Sequence, residues 1–261
     1  MADLLFYQKL VVLNKDQHRR HSLKLDNFDF AAHAQSVLLT GSEFGEACNE
    51  YPIAFVKGVE DSMVPVALLG FRQDENLYVD ANGKWNARYI PAFVRRYPFV
   101  FSETSPEQFV VCIDEACTGL AVAEGGSPLF DESGAASPFL NSMIQFMQNY
   151  QGDFVRTQAF VARLRKFDLL KEGNAKIVFN SGDELLLNGI WMVDEAKLIA
   201  LDDARQLELV KSGELGWIYA HLISLSNLNH HINLDAQKTA AALTVSGLKG
   251  KKQGKAHSLP V

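Results

Sequence analysis

Three arginines, five aromatic residues and two prolines crowd the stretch Trp85-Asn-Ala-Arg-Tyr-Ile-Pro-Ala-Phe-Val-Arg-Arg-Tyr-Pro-Phe99. Planar guanidinium groups grip carboxylates and phosphates through paired N–H donors, and flat rings add cation–π contact. Arg88, Arg95 and Arg96 among Trp85, Tyr89 and Tyr97 therefore have the chemistry of a surface that holds a ligand or a partner. The competing account is structural: the arginines pair with surface acids, at about 0–1 kcal/mol each when exposed, while the rings fill core.

No reaction centre announces itself beside this segment. The chain lacks Gly-x-Gly-x-x-Gly, a phosphate-binding Gly-x4-Gly-Lys-Ser/Thr loop and the Gly-x-Ser-x-Gly nucleophile elbow. His18-Arg-Arg-His21 has ligand-like spacing, but two intervening cations oppose a metal ion and no carboxylate stands beside it in sequence. Cys112 and Cys117 lack Cys-x-x-Cys spacing, so they read as buried structural thiols. Neither a metal nor a cofactor is expected. Glu50, Glu103 and His221 can transfer protons and are the candidates for an enzyme whose catalytic groups come from distant positions. His221, at helical offsets from Ile218 and Leu225, reads first as a packing histidine.

The elements that would position these residues change character near Gly125. Before it, apolar runs bounded by turn residues predict strands at Leu10–Leu13, Ser36–Thr40, Ile53–Lys57, Val64–Leu69, Leu77–Asp80 and Phe109–Ile113. Asn82-Gly83 predicts a two-residue type I′ hairpin that delivers Trp85 into a return strand. After the Gly- and Ser-rich stretch Glu124–Ser137, Ser137 with Pro138 is a helix start, and Phe139, Met143, Phe146, Met147 and Tyr150 recur at helical spacing. The pattern resumes through Val161, Leu164 and Phe167 to a stop at Gly173. Gly152 costs about 1 kcal/mol inside a helix, which favours two helices broken there over one long helix. Beyond it follow a hairpin around Asn180–Asp183, a return strand over Gly189–Val193, a short helix to Val210 capped at Asp202-Asp203 and an amphipathic helix from Leu215 to Leu225. The expected fold is α+β: a mostly antiparallel sheet, a β-rich N-terminal half and helices packed on it from the C-terminal half. One domain over residues 1–235 and a flexible basic tail over 236–261 complete the expected organisation, with two subdomains as the alternative.

Composition sets the function classes. With 48% apolar and 21% charged residues the chain has the balance of a soluble globular protein. The net charge is −6, although the last 26 residues hold five lysines and no acid. An acidic body disfavours nucleic-acid binding. Asp3 stands where a signal peptide would be basic, and no run of eighteen apolar residues provides a transmembrane segment. Three cysteines fit a reducing cytoplasm.

Tyr51-Pro-Ile-Ala-Phe55, Ala67-Leu-Leu-Gly70, Asn82-Gly-Lys-Trp85, Tyr89-Ile-Pro-Ala92, Arg95-Arg-Tyr-Pro-Phe99 and Ile218-Tyr-Ala-His-Leu-Ile-Ser-Leu225 occur in that order. In these motifs the chain resembles the SapC family from about Val11 to Leu228, most specifically over Trp85–Phe99. The resemblance implies a cytoplasmic bacterial protein connected with surface-layer (S-layer) protein secretion, and it carries no defined reaction. Some relatives bear a peptide-transporter permease label, which a chain without a spanning helix does not fit. The expected function is a non-catalytic binding or accessory protein. It would recognise a peptide or protein partner through Tyr51, Trp85, Tyr89, Arg95, Arg96 and Tyr97 during export or uptake. The alternative is an enzyme that modifies a peptide or small metabolite. A homo-oligomer formed through a free sheet edge is a third reading.

Overall fold

The computed structural model describes residues 5–58, 62–105, 108–122, 125–179 and 182–252. Its elements run β1 (Leu10–Val12), α1 (Lys15–His18), β2 (Ser22–Leu23), β3 (Ser36–Leu38), α2 (Phe44–Ala47), β4 (Ile53–Lys57), β5 (Met63–Leu68) and α3 (Ala92–Arg95). They continue with β6 (Phe99–Ser105), β7 (Gln108–Asp114), β8 (Leu120–Ala121), β9 (Ser127–Pro128), α4 (Pro138–Lys166), β10 (Leu170–Val178) and β11 (Glu184–Val193). Four helices follow: α5 (Glu195–Ile199), α6 (Asp203–Ser212), α7 (Glu214–Ser224) and α8 (Asn227–Lys252). The fold is α+β with antiparallel sheets.

The principal sheet has the order β10-β11-β4-β5-β3, so strands from both halves of the chain share it. At its centre Ile53, Ala54 and Phe55 of β4 are all buried. Ile53 and Phe55 belong to the main core with Phe44, Phe99 and Phe160, while Ala54 faces a smaller cluster with Val66, Leu187 and Ile190. A strand covered on both faces reads as an unbroken apolar run, which is why Ile53–Val56, closed by the exposed Lys57, is so evident in the sequence. Two smaller sheets, β1-β7-β6 and β8-β2-β9, carry the N-terminal region.

α4 is one helix, about 43 Å long, with no break at Gly152. Its buried residues on either side of Gly152, from Leu140, Met147 and Tyr150 to Thr157, Val161 and Leu164, keep a single stripe on the core. Burial of that stripe outweighs the roughly 1 kcal/mol that glycine costs. Ser137 caps it as expected, accepting from Leu140 N at 3.1 Å, with Pro138 in the first turn. The helix stops at Lys166, well before Gly173, and Asp168 turns the chain with φ +54°.

Several strand and turn expectations need correction. Gly189 does not open a separate return strand. It sits at φ +75° in a bulge where Gly173 pairs with Ile190 but Ala175 pairs with Leu187, so β11 continues past it. Asn180 and Ser181 of the expected turn lie outside the described residues. Leu77–Asp80 contributes only the single bridge Val79–Trp85. Asp80 N bonds Lys84 O at 3.0 Å, so the loop between Asp80 and Lys84 has three residues, of which Gly83 alone has positive φ. Asp80 Oδ1 accepts from Asn82 N (2.8 Å) and Lys84 N (3.0 Å), which favours this loop over a type I′ turn. Beyond Asp235 the helix continues to Lys252, and Lys238 Nζ donates to the carbonyls of Asn76 (2.5 Å) and Val79 (3.3 Å). The last nine residues of the predicted tail lie outside the described residues.

Candidate functional site

The aromatic-arginine segment folds around a single turn of helix, α3, which Pro91 leads into with φ −52°. Successive residues on a helix differ in direction by about 100°, so Arg95 and the C-cap residue Arg96 diverge. Arg95 is exposed. Its Nε donates to Ile90 O at 2.8 Å and its Nη2 to the Tyr89 hydroxyl at 3.4 Å. Its guanidinium lies 5.0 Å from the Phe146 ring centroid and 5.6 Å from that of Tyr89. Among the described residues no carboxylate forms an ion pair with it.

The remaining predicted binding residues are mostly interior, a correction to the expectation of an outward display. Tyr51, Trp85, Arg96 and Tyr97 are buried and Tyr89 is half-buried. The Tyr51 hydroxyl accepts from Trp85 Nε1 at 2.9 Å and donates to Tyr89 O, so both polar tips are satisfied internally. Tyr97 stacks on Phe30 with centroids 4.1 Å apart and donates to Asp114 Oδ2 at 3.1 Å. Large rings gain most from leaving water, provided each hydroxyl or indole N–H finds a partner. These rings meet that condition within the fold.

Glu43, absent from the residues expected to form the site, positions the segment. This buried carboxylate accepts through Oε1 from the Tyr89 hydroxyl (2.8 Å) and from Ala92 N (2.7 Å), the first amide of α3. Through Oε2 it accepts from Thr40 N (2.8 Å) and Thr40 Oγ1 (3.0 Å). Thr40-Gly-Ser-Glu43 is a capping box, and that spacing was the available signal.

Arg95 and Tyr97 meet at the wall of a concavity of about 460 Å³. Leu23, Phe139 and Met143 supply its apolar surface and Lys24 a second cation. Phe139 and Met143 lie one turn apart on α4, and Leu23 is held in β2 between Leu120 and Ser127. Gly126 permits this approach, because a Cβ there would meet Ser22 Oγ at 2.8 Å. Lys24 contacts Asp26 at 3.4 Å, both exposed, a pairing that solvent screens. The concavity thus offers two cations beside an apolar wall, a match for a ligand with an anionic group and an apolar body.

The proton-transfer candidates do not converge. His221 is fully buried: Nδ1 donates to Ile53 O at 2.9 Å and Nε2 accepts from Val193 N at 3.0 Å. Burial lowers its pKa to about 4. With both ring nitrogens engaged by backbone, it joins α7 to β4 and β11 and has no lone pair for a substrate. Glu103 lies in β6, paired with Phe109 of β7 in the β1-β7-β6 sheet and not in the sheet that His221 joins, and Glu50 offers its carbonyl to the Tyr78 hydroxyl at 2.6 Å. His18, expected to lack a carboxylate neighbour, has Glu115 Oε1 3.3 Å from its Nε2, and Glu115 is also bound by Lys9 at 2.7 Å. No group of three or more His, Cys, Asp or Glu among the described residues is arranged to hold a metal ion. Nor is any helix among them long and apolar enough to cross a membrane. Cys112 and Cys117 are buried free thiols whose pKa values burial raises.

The model of one protein family, described as SapC, matches residues 13–230. No curated protein matches the chain, and no solved structure does.

Proposed function

The chain belongs to the SapC family, and from that premise we propose that it is a non-catalytic binding protein that recognises a peptide or protein partner at the Arg95 concavity. The observation that carries this reading is Arg95 itself. It is exposed, held by Ile90 O and the Tyr89 ring, and without an ion-pair partner among the described residues. A guanidinium fixed in direction but left without a carboxylate loses little conformational freedom when it captures one. Lys24 adds charge, and Leu23, Phe139 and Met143 give an apolar side chain somewhere to lie. In this reading Tyr51, Trp85 and Glu43 are the support that aims Tyr89 and Arg95. The protein acts in the cytoplasm, in surface-protein export or uptake.

An array of labelled peptides, acidic and neutral, each with and without a large apolar residue, tests the reading. Peptides that combine an acid with an apolar residue should bind, and Arg95→Ala should weaken them at least tenfold while leaving the unfolding midpoint unchanged. Undiminished binding by Arg95→Ala, or no preference across the array, would rule this site out.

A further inference from the structure

Arg96 poses a different problem from its neighbour. It is 6% exposed, with its guanidinium 4.1 Å from the Phe93 ring centroid and 5.4 Å from that of Tyr150. No carboxylate among the described residues forms an ion pair with it, and its Nε and Nη2 have no hydrogen-bond partner. The hydroxyl of Tyr150, a residue 8% exposed, also has none. A buried polar donor without a partner is unfavourable, most of all on a charged group, and here two atoms of a guanidinium and one neutral hydroxyl lack partners on two side chains in contact.

The identity of the free atoms indicates what fits. Nε–H and an Nη2–H form one edge of the guanidinium, two parallel donors spaced for the two oxygens of a carboxylate. The Tyr150 hydroxyl adds a third donor, and the rings of Phe93 and Tyr150 supply apolar walls. We propose that Arg96 and Tyr150 form an internal site for a small carboxylate monoanion, separate from the concavity at Arg95. The surrounding charges set the valence. Glu43 acts on Tyr150 and Asp114 on Tyr7, whose hydroxyl is itself hydrogen-bonded to the Arg96 guanidinium and leaves Nε and Nη2 free. One negative charge balances the arginine, whereas a dianion such as phosphate would also face both acids.

Thermal unfolding of the full chain in acetate and in chloride at matched ionic strength tests the site. Acetate should raise the midpoint saturably and chloride should not. Tyr150→Phe keeps the ring, removes one donor and should weaken the apparent acetate affinity about tenfold. Arg96→Lys keeps the charge without the paired edge and should abolish the response. If that variant does not fold, Tyr150→Phe carries the test, with line broadening of ¹³C-acetate as a direct readout of binding. Equal responses to acetate and chloride, or an undiminished acetate response in Tyr150→Phe, would overturn the proposal and leave these atoms to water or to the chain's own groups.

Discussion

Acid should destabilise this protein through its buried histidines, and His221 permits the effect to be sized. Its ring is neutral in the fold, with Nδ1–H directed at Ile53 O and the Nε2 lone pair at Val193 N–H. Protonation would set one N–H against another and place a charge where water is excluded. Burial holds the folded pKa at about 4 against the ordinary 6.5. Because the unfolded chain takes up the proton at higher pH, unfolding absorbs a proton between these values, and stability falls as pH falls through that window. The contribution is fully present above pH 6.5. It amounts to about 3 kcal/mol in total, of which about 2 kcal/mol is lost by pH 5. His231, lowered to about 4 by burial and bound through Nε2 to Leu68 O at 3.0 Å, adds a term of similar size. Urea unfolding of wild type and His221→Asn at pH 7, 6 and 5 isolates the His221 part. The variant should be less stable at pH 7, and the gap should narrow by about 2 kcal/mol at pH 5. A gap that stays constant with pH would refute the assignment of a neutral, backbone-locked imidazole.

Glu43→Gln keeps size but turns one oxygen into a donor facing Thr40 N or Ala92 N, so loss of two charge-assisted bonds should destabilise the protein by about 3 kcal/mol. Chemical denaturation measures this, and a change below about 0.5 kcal/mol would mean that the carboxylate does not anchor α3. Gly152→Ala should stabilise by about 1 kcal/mol, since a Cβ there meets nothing within 4 Å and the position lies inside a continuous helix. Thermal unfolding would contradict the unbroken helix if the variant melted lower than wild type.

Local patterns were legible where one short-range rule decides the outcome. Ile53–Lys57 was bounded correctly because burial of Ile53, Ala54 and Phe55 demands an apolar run, which ends where Lys57 reaches solvent. Ser137-Pro138 and the pair Asp202-Asp203, of which Asp202 is the cap, identified helix starts because a cap is a contact between near neighbours in sequence. The expectations failed where a local cost met distant burial. Gly152 and Gly189 both look like interruptions, yet packing carries the helix through the first and a bulge carries the strand through the second. Phe99–Ser105 carries no strand expectation from its sequence, and its pairing with β7 is a tertiary fact.

For the candidate site, residue types alone established that guanidinium groups and rings lie together between Trp85 and Phe99, and that a carboxylate or phosphate is what such groups bind. Which of them meet solvent was beyond the sequence, because exposure depends on partners far away in the chain. Tyr51 closes over Trp85 and Tyr89, Asp114 takes the Tyr97 hydroxyl, and α4 brings Phe146 to Arg95 and Tyr150 to Arg96. Two identical neighbours are thereby separated, one arginine facing a concavity and the other enclosed among rings. The chain encodes the same chemistry twice, and the packing of α4, through Phe146 and Tyr150, completes the different surroundings of each copy.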